Sequence, residues 1–246
     1  MGDEKQLPPL VQSVAAQAAG LGTSLFESLL ATAPHDASVA LRRQYRMHEA
    51  ISAFPSQQCY GGKLVADPSV AHATLTITPT RYAAILDPTQ PLIWVEVAPN
   101  AAQTTPKLNE AEAQAAAALA LALAASGVDP HEIGVIAPFR AQVARIRQLA
   151  STLVEDGATI DTVDRFQGGE RAAIILSLVA ATPPLPDSPL ATFLGDARRL
   201  NVALTRARHK MIVLGHQAAL NHLPMLRDLA THCAGNVVHW EKDSLI

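Results

Sequence analysis

The chain has 246 residues, of which 49% are hydrophobic and 17% are charged. This composition excludes intrinsic disorder and is typical of a globular chain with one large domain or two small ones. An alanine-rich run at 113–125 contains Gln114 and is too weakly hydrophobic to predict a membrane span. The net charge of −3 provides no general attraction for nucleic acid, so any such contact depends on local geometry.

The N-terminus has neither the basic start nor the apolar segment of a signal peptide, and we expect a cytoplasmic protein. The two cysteines, Cys59 and Cys233, are too few for a disulfide framework and have no metal-ligand spacing. The histidines show no such spacing either, so the sequence predicts no metal site.

The first ninety residues have a less regular pattern of predicted elements than the rest of the chain. Short helical or strand-like patterns lie at 10–19, 24–31, 41–45 and 51–54. Irregular chain is expected from there to Pro91. We interpret residues 1–90 as a connector and flank of the main sheet and not as an independent domain.

From residue 91 onward, short apolar runs rich in β-branched residues alternate with helical patterns. The predicted strands lie at 92–97, 133–137, 159–163, 173–179 and 211–214. The predicted helices lie at 110–126, 140–153, 198–207 and 217–230. Strands that alternate with helices form a parallel sheet covered on both faces. We therefore expect an α/β fold whose main sheet lies in 91–246, with 1–246 as one structural domain.

The helix predicted at 110–126 has a recognisable start and end. The Asn109 side chain is placed to accept hydrogen bonds from the first-turn amides, and Glu112 is placed to reach back, which is the pattern of a capping box. Gly127 follows the last helical residue and can adopt the left-handed conformation that ends a helix.

Three segments contain residues suited to binding an anion, at 41–48, 161–170 and 198–208. In the first, arginines flank Tyr45, a combination that suits a phosphate plus a base but is also found in solvated surface clusters. In the second, Gly168 and Gly169 let backbone amides approach an anion, although a plain turn also uses two glycines. In the third, Arg199 and Arg206 fall outside the apolar stripe of the predicted helix, where they meet a ligand or water.

Taken in order, residues 2–9 and these three segments resemble the second RecA-like motor domain of superfamily 1 helicases, in the Upf1-like (Dna2/Senataxin-type) branch. The matching stretches are GDEKQLPP at 2–9 (motif III), QYRMH at 44–48 with SAFPS at 52–56 (motif IV), IGVIAPF at 133–139 with Gln142, TVDRFQGGE at 162–170 (motif V) and RLNVALTRAR at 199–208 (motif VI). The resemblance implies a RecA-like, mostly parallel sheet with helices on both faces and without its own P-loop.

The resemblance also implies roles for the residues on the nucleotide side. Gln6 would sense the γ-phosphate, and Asp3 would support the turn that carries Gln6. Tyr45 would stack on adenine, and Arg46 would reach the γ-phosphate. Arg206 would be the arginine finger, because a rigid cationic fork stabilises the charge that spreads over phosphoryl oxygens during transfer.

The resemblance implies that motif V contacts both the nucleotide and the nucleic acid. Glu170 would contact the nucleotide, with Gln167 and Gly168 beside it. Thr162, at the other end of the motif, would lie near the nucleic-acid backbone together with Pro138.

The resemblance implies ATP with Mg²⁺ as the nucleotide, but the 246 residues contain no GxxxxGK[ST], since Gly62-Lys63 is followed by Leu64. We therefore expect the Mg²⁺ ligands in a first RecA-like domain of a longer protein. The chain would be the C-terminal motor domain of a 5′-to-3′ DNA or RNA helicase, inactive alone. Its partners would be single-stranded nucleic acid and that first domain, with no membrane.

Two other functions compete with this one. The chain would serve as a non-catalytic nucleic-acid or partner-binding module if it had kept the fold without the chemistry. The joint presence of Gln6, Arg46, Glu170 and Arg206 argues against that module. A nuclease is the weakest alternative, because no acidic pair with a lysine is found on adjacent predicted strands.

Overall fold

The computed structural model of the protein describes residues 2–9, 11, 13–34, 37–79, 81–99 and 105–241. The helix predicted at 10–19 starts at Leu10, which lies outside these residues. Among the described residues, no helix combines the length and apolarity that crossing a membrane requires.

The first part of the chain is more regular than the sequence predicts. Its elements are α1 (Val14–Ala16), a π-helical turn (Gln17–Leu21), α2 (Leu25–Thr32), β1 (Arg43–Gln44), α3 (Glu49–Tyr60), β2 (Val65–Ala66), α4 (Pro68–Ala71) and α5 (Ala83–Leu86). β1 and β2 pair in parallel, and the Asp67 side chain caps α4 by accepting from the amide of Ser69. The expectation of irregular chain before Pro91 is therefore wrong. The pairing of β1 with β2 and the Asp67 cap of α4 both depend on hydrogen bonds, which the spacing of hydrophobic residues does not report.

The second part contains the main sheet. Its strands are β3 (Leu92–Glu96), β4 (Ile133–Ala137), β5 (Thr159–Thr162), β6 (Arg171–Ser177), β7 (Ala207–Gly215) and β8 (Val237–His239). The strand order is β5-β4-β6-β7-β3-β8, and every neighbouring pair is parallel. The predicted α/β fold with a parallel sheet is confirmed. β8 was not predicted, since its apolar signal is limited to Val237 and Val238.

Helices cover both faces of this sheet. They are α6 (Glu110–Ala125), a 3₁₀ turn (Pro130–Glu132), α7 (Arg140–Leu149), α8 (Ser151–Glu155), α9 (Pro189–Gly195), α10 (Ala197–Leu204), α11 (Gln217–Leu220) and α12 (Pro224–His232). Alternate residues of each strand point to opposite faces. Ile93 and Val95 therefore join the core under α6, whereas Leu92 and Trp94 join the core under α3 and α10.

Three predicted helices differ from the observed ones, two because they are divided and one because it ends early. The helix predicted at 140–153 breaks at Ala150, whose backbone leaves the helical region. The helix predicted at 198–207 ends at Leu204, because the chain enters β7 at Ala207. The helix predicted at 217–230 is interrupted before Pro224, which lacks an amide hydrogen and starts α12 instead. The division of the chain at residue 90 stays a prediction.

The ends of α6 confirm half of the predicted capping box. Asn109 Oδ1 accepts from the amide of Glu112 at 3.2 Å, and Gly127 adopts a φ of 106° after the helix. The Glu112 carboxylate does not reach back to the Asn109 amide, which donates instead to Gln142. Glu112 is fully buried and accepts from the Ser177 hydroxyl at 2.6 Å, from the Val179 amide at 2.7 Å and from Asn109 Nδ2 at 3.0 Å.

Burial raises the pKa of Glu112 to about 7, against the hydrogen bonds from Ser177 and Val179, which lower it. The folded-state pKa lies above the unfolded value, so the folded protein binds more protons between about pH 4.5 and pH 7. The stabilisation linked to this group is complete below that window and is lost as the pH rises through 7.

We predict that Glu112→Gln flattens this pH dependence. The amide does not titrate, and its NH₂ group would face another donor, either the Val179 amide or Asn109 Nδ2, which should destabilise the fold by about 1–3 kcal/mol. Urea unfolding at pH 5, 6, 7 and 8 measures both effects. Parallel stability curves for the original protein and the variant would contradict the assignment of the titration to Glu112.

Candidate nucleotide site

The proposed nucleotide residues meet at the amino ends of β6 and β7. Arg171 is paired with Ala207 at the start of these parallel strands, and the Arg171 amide donates to the carbonyl oxygen of Arg206 at 3.0 Å. Glu170 and Arg206, each one residue earlier, are therefore brought side by side. Sequence positions 36 residues apart become neighbours through strand pairing alone.

Arg206 is buried, with 2% of its surface exposed. Its Nε donates to the Val202 carbonyl at 3.0 Å, its Nη1 to the Gly169 carbonyl at 3.1 Å and its Nη2 to Gln6 Oε1 at 3.3 Å. Burial, and then the nearby charge of Arg46, lower the pKa of Arg206 to about 10, so that it remains cationic at neutral pH. The expectation that Arg206 lies on the exposed side of a helix is wrong, because the helix ends before it.

Arg46 and Glu170 form the half-buried part of the site. Arg46 Nε pairs with Glu170 Oε2 at 2.5 Å, and Arg46 Nη1 donates to the Thr205 carbonyl at 3.2 Å. Arg208 contacts the other carboxylate oxygen of Glu170 at 3.4 Å and pairs with Glu132 at 2.8 Å. Burial is the largest single influence on the pKa of Glu170 and raises it, but the contacts with Arg46 and Arg208 together outweigh burial and leave the pKa lowered.

Asp3 and Gln6 join the same cluster from the N-terminal segment. Asp3 Oδ2 accepts from Gln6 Nε2 at 2.8 Å and from the Tyr60 hydroxyl at 2.8 Å. Asn201 Nδ2 donates to the Tyr60 hydroxyl at 2.9 Å. Tyr60 and Asn201 were missed by sequence reasoning, although both fall inside or beside matched motifs, because nothing in local spacing shows that they meet Asp3.

Tyr45 lies at the mouth of a cavity of about 890 Å³. Its side chain is exposed, at 66%, and the cavity is also lined by Asp3, Gln6, Arg46 and Glu170. An apolar part of its lining comes from α2, through Phe26, Leu29 and Leu30. The cavity therefore joins an exposed aromatic ring to a cationic group, an arrangement that suits a base attached to phosphates.

The remaining predicted residues are not all in this cavity. Gln167 is exposed and lines a neighbouring cavity of about 710 Å³ that shares Asp3 and Gln6 with the first. Gly168 is exposed and has a φ of 85°, a conformation that favours glycine.

Thr162 and Pro138 lie at the other end of the strands, which is the carboxyl end. Thr162 ends β5, and Pro138 follows β4, so both are at the carboxyl ends of parallel strands. Pro138 is buried and lines a third cavity of about 380 Å³ with Phe139, Asp164 and Arg199, the last two of which also line the cavity of about 710 Å³. Residues 163–170 run from this end to the amino end of β6 and so connect Thr162 with Glu170.

No group of three or more His, Cys, Asp or Glu side chains suited to a metal ion is found in the described part of the chain. The carboxylates of the candidate site are engaged by donors of the site itself: Asp3 by Gln6 and Tyr60, and Glu170 by Arg46 and Arg208. The guanidinium of Arg46 offers donors to an anion.

Comparison with known proteins identifies the family. Residues 21–218 match a family described as an AAA domain. The chain is 36% identical to the DNA replication ATP-dependent helicase/nuclease JHS1 of Arabidopsis thaliana, over 92% of this chain and 17% of that protein. It is 34% identical to the DNA replication ATP-dependent helicase/nuclease DNA2 of Mus musculus, over 94% of this chain and 23% of that protein.

A third relative is the regulator of nonsense transcripts 1 homolog of Arabidopsis thaliana, which is 36% identical over 94% of this chain and 18% of that protein. The chain thus spans about a fifth of the length of the curated relatives it matches. The family match covers most of the chain, and these relatives match nearly all of it. The chain therefore belongs to the AAA-domain family, in the Upf1-like branch of the superfamily 1 helicases.

Proposed function

We propose that the chain is the second motor domain of an ATP-dependent 5′-to-3′ nucleic-acid helicase and that it provides the γ-phosphate side of the ATP site. One observation carries the proposal: Gln6, Arg46, Glu170 and Arg206 come from four distant segments and meet in one hydrogen-bonded cluster. The polarity is proposed from the Upf1-like resemblance alone.

The residues fit a nucleoside triphosphate. The exposed ring of Tyr45 is available to stack on a base, and Arg46 lies next to it in the chain and in the cavity lining. Glu170 holds the Arg46 guanidinium in place, so this cation is positioned before a phosphate arrives. A preorganised cation loses little entropy when phosphoryl transfer needs it, which is the main contribution that a protein makes to this reaction.

The Mg²⁺ ligands and the phosphate-binding loop are proposed to come from the first RecA-like domain. The described residues offer no acidic cluster, and the 246-residue sequence has no P-loop motif. The ATP site is then shared between two domains, and Arg206 acts across the junction as the arginine finger.

The nucleic-acid contacts are proposed for the carboxyl ends of β5 and β4, around Thr162 and Pro138. Because residues 163–170 link these strand ends to Glu170, movement at the nucleotide site would be transmitted along motif V to the nucleic-acid site. The strand would be single-stranded DNA or RNA. A non-catalytic binding module is disfavoured, since it would not require Arg46, Arg206 and Gln6 to be assembled in one cluster.

We predict that the 246-residue chain alone does not hydrolyse ATP, because its sequence has no P-loop motif and its described residues offer no acidic cluster for Mg²⁺. Phosphate release, measured with and without single-stranded DNA or RNA, should equal the buffer blank. Turnover that persists through repeated purification and that Arg46→Ala abolishes would contradict the shared-site proposal.

We predict that Arg206→Ala in the full-length helicase lowers ATP turnover by about 10³-fold, the scale of an arginine finger. Arg206→Lys should not restore turnover, because an ammonium group does not reproduce the planar fork. Nucleotide affinity should change little, since the first domain would hold most of the triphosphate. Steady-state ATPase assays and nucleotide titration separate the two effects.

The matched control for this prediction is Arg147→Ala. Arg147 also donates its Nε to a backbone carbonyl, that of Ile160 at 3.0 Å, but it lies on α7, away from the cavity. Both alanine variants should lower the melting temperature, and only Arg206→Ala should stop turnover. Equal losses of turnover in the two variants would assign Arg206 a structural role.

We predict that the chain alone binds single-stranded nucleic acid weakly, with a Kd of roughly 1 μM or above at physiological salt, and that affinity falls steeply as salt is raised. The net charge of −3 leaves only local contacts to hold the phosphates. Fluorescence anisotropy with a labelled oligonucleotide at 50 to 200 mM salt checks both points. Nanomolar binding at physiological salt would mean that this domain does not share the strand with another.

A further inference from the structure

The hydroxyl of Tyr60 lies between two polar groups at the end of α3. It donates to Asp3 Oδ2 at 2.8 Å and accepts from Asn201 Nδ2 at 2.9 Å. We infer that Tyr60 is a positioning residue that orients the Gln6 amide toward Arg206. This inference rests on the function proposed above and extends it to residues outside the implied catalytic set.

Lys5, Asn201, Tyr60, Asp3 and Gln6 are linked by successive hydrogen bonds, and the groups at the two ends determine the direction of each bond. Asn201 Nδ2 also donates to the carbonyl oxygen of Lys5 at 2.9 Å, and a carbonyl can only accept, so the Asn201 amide has a single suitable orientation. The Tyr60 oxygen therefore receives a proton from Asn201. The single phenolic proton of Tyr60 is left to point at Asp3.

The same reasoning determines the orientation of Gln6. The Asp3 carboxylate only accepts, and the Arg206 guanidinium only donates. The NH₂ end of Gln6 must therefore face Asp3, at 2.8 Å, and its oxygen must face Arg206, at 3.3 Å. Tyr60 acts on Gln6 through the shared acceptor Asp3 Oδ2, which both residues contact.

Stability alone does not explain this arrangement. Asn201 is fully buried, and its Oδ1 has no hydrogen-bond partner among the described residues. An unpaired buried acceptor destabilises a fold, so an apolar residue would serve a purely structural role at least as well. What Asn201 provides is a donor for Tyr60 and for Lys5, and hence a fixed place for the Asp3–Gln6 turn.

Burial raises the pKa of Tyr60 well above its usual range, ahead of the opposing hydrogen bond from Asn201 and the reinforcing one to Asp3. The phenol thus keeps its proton at neutral pH. The donor to Asp3 is present throughout the range in which such an enzyme would be assayed.

A double-mutant cycle in the full-length helicase tests the inference. Gln6→Ala and Tyr60→Phe should each lower kcat for ATP roughly tenfold, the effect of one hydrogen bond to a charged group, with KM for ATP within about twofold. The double variant should be no slower than Gln6→Ala, because Tyr60 acts through Gln6. Tyr82→Phe is the matched control, since it removes the hydroxyl of a tyrosine that belongs to the core on the α6 side of the sheet. It should leave kcat unchanged.

The outcomes separate the inference from the proposed function. If Gln6→Ala slows turnover but Tyr60→Phe does not, or if the two effects multiply, Tyr60 does not act through Gln6 and the inference is overturned. If Gln6→Ala leaves turnover unchanged, the proposed role of Gln6 fails and the inference fails with it.

A second measurement on the 246-residue chain does not depend on activity. Exchange of the Gln6 side-chain amide protons, followed by NMR, should be faster in Tyr60→Phe than in the original chain and unchanged in Tyr82→Phe. Unchanged exchange in Tyr60→Phe, with the melting temperature preserved, would overturn the inference.

Discussion

Parallel pairing of β6 with β7 is the constraint on which the candidate site depends. The register places Arg171 opposite Ala207, so the residues that precede the two strands, Glu170 and Arg206, emerge together at one edge of the sheet. Beyond this first pair the register shifts by one residue, since Ala173 lies opposite Lys210. The apolar side chains of the buried strand residues hold the two strands together. The irregularity at the start of β6 then determines which charged residues are brought side by side.

The site combines two cations that repel each other with one carboxylate that attracts both. Burial and the charge of Arg46 each disfavour the charged form of Arg206, whereas Glu170 favours it. A buried guanidinium is tolerated only when its donors are satisfied, and here two backbone carbonyls and the Gln6 side chain satisfy them. All three of these acceptors are neutral, so they do not offset the positive charge that Arg206 would present to a phosphate. A salt bridge on each arginine would have cancelled it.

The two ends of the strands give the proposed helicase a physical basis for coupling. The proposed nucleotide residues gather at the amino ends of β6 and β7, and the proposed nucleic-acid residues Thr162 and Pro138 lie at the carboxyl ends of β5 and β4. Residues 163–170 connect the carboxyl end of β5 with the amino end of β6, and the side chains of Val163 at the start and Phe166 in the middle are buried. A short segment with two buried side chains has few conformations, so it would couple the two proposed ligand sites.

The sequence by itself determined the family, the alternation of strands and helices and the start and end of α6, because these depend on local periodicity, capping and ordered motifs. It did not determine the end of α10 at Leu204, the pairing of β8 or the partners of Glu112. Nor did it show that Arg206 is buried or that Tyr60 contacts Asp3. Only the tertiary structure decided these, since each depends on contacts between side chains or strands far apart in the chain, and such contacts leave no periodic trace in either partner.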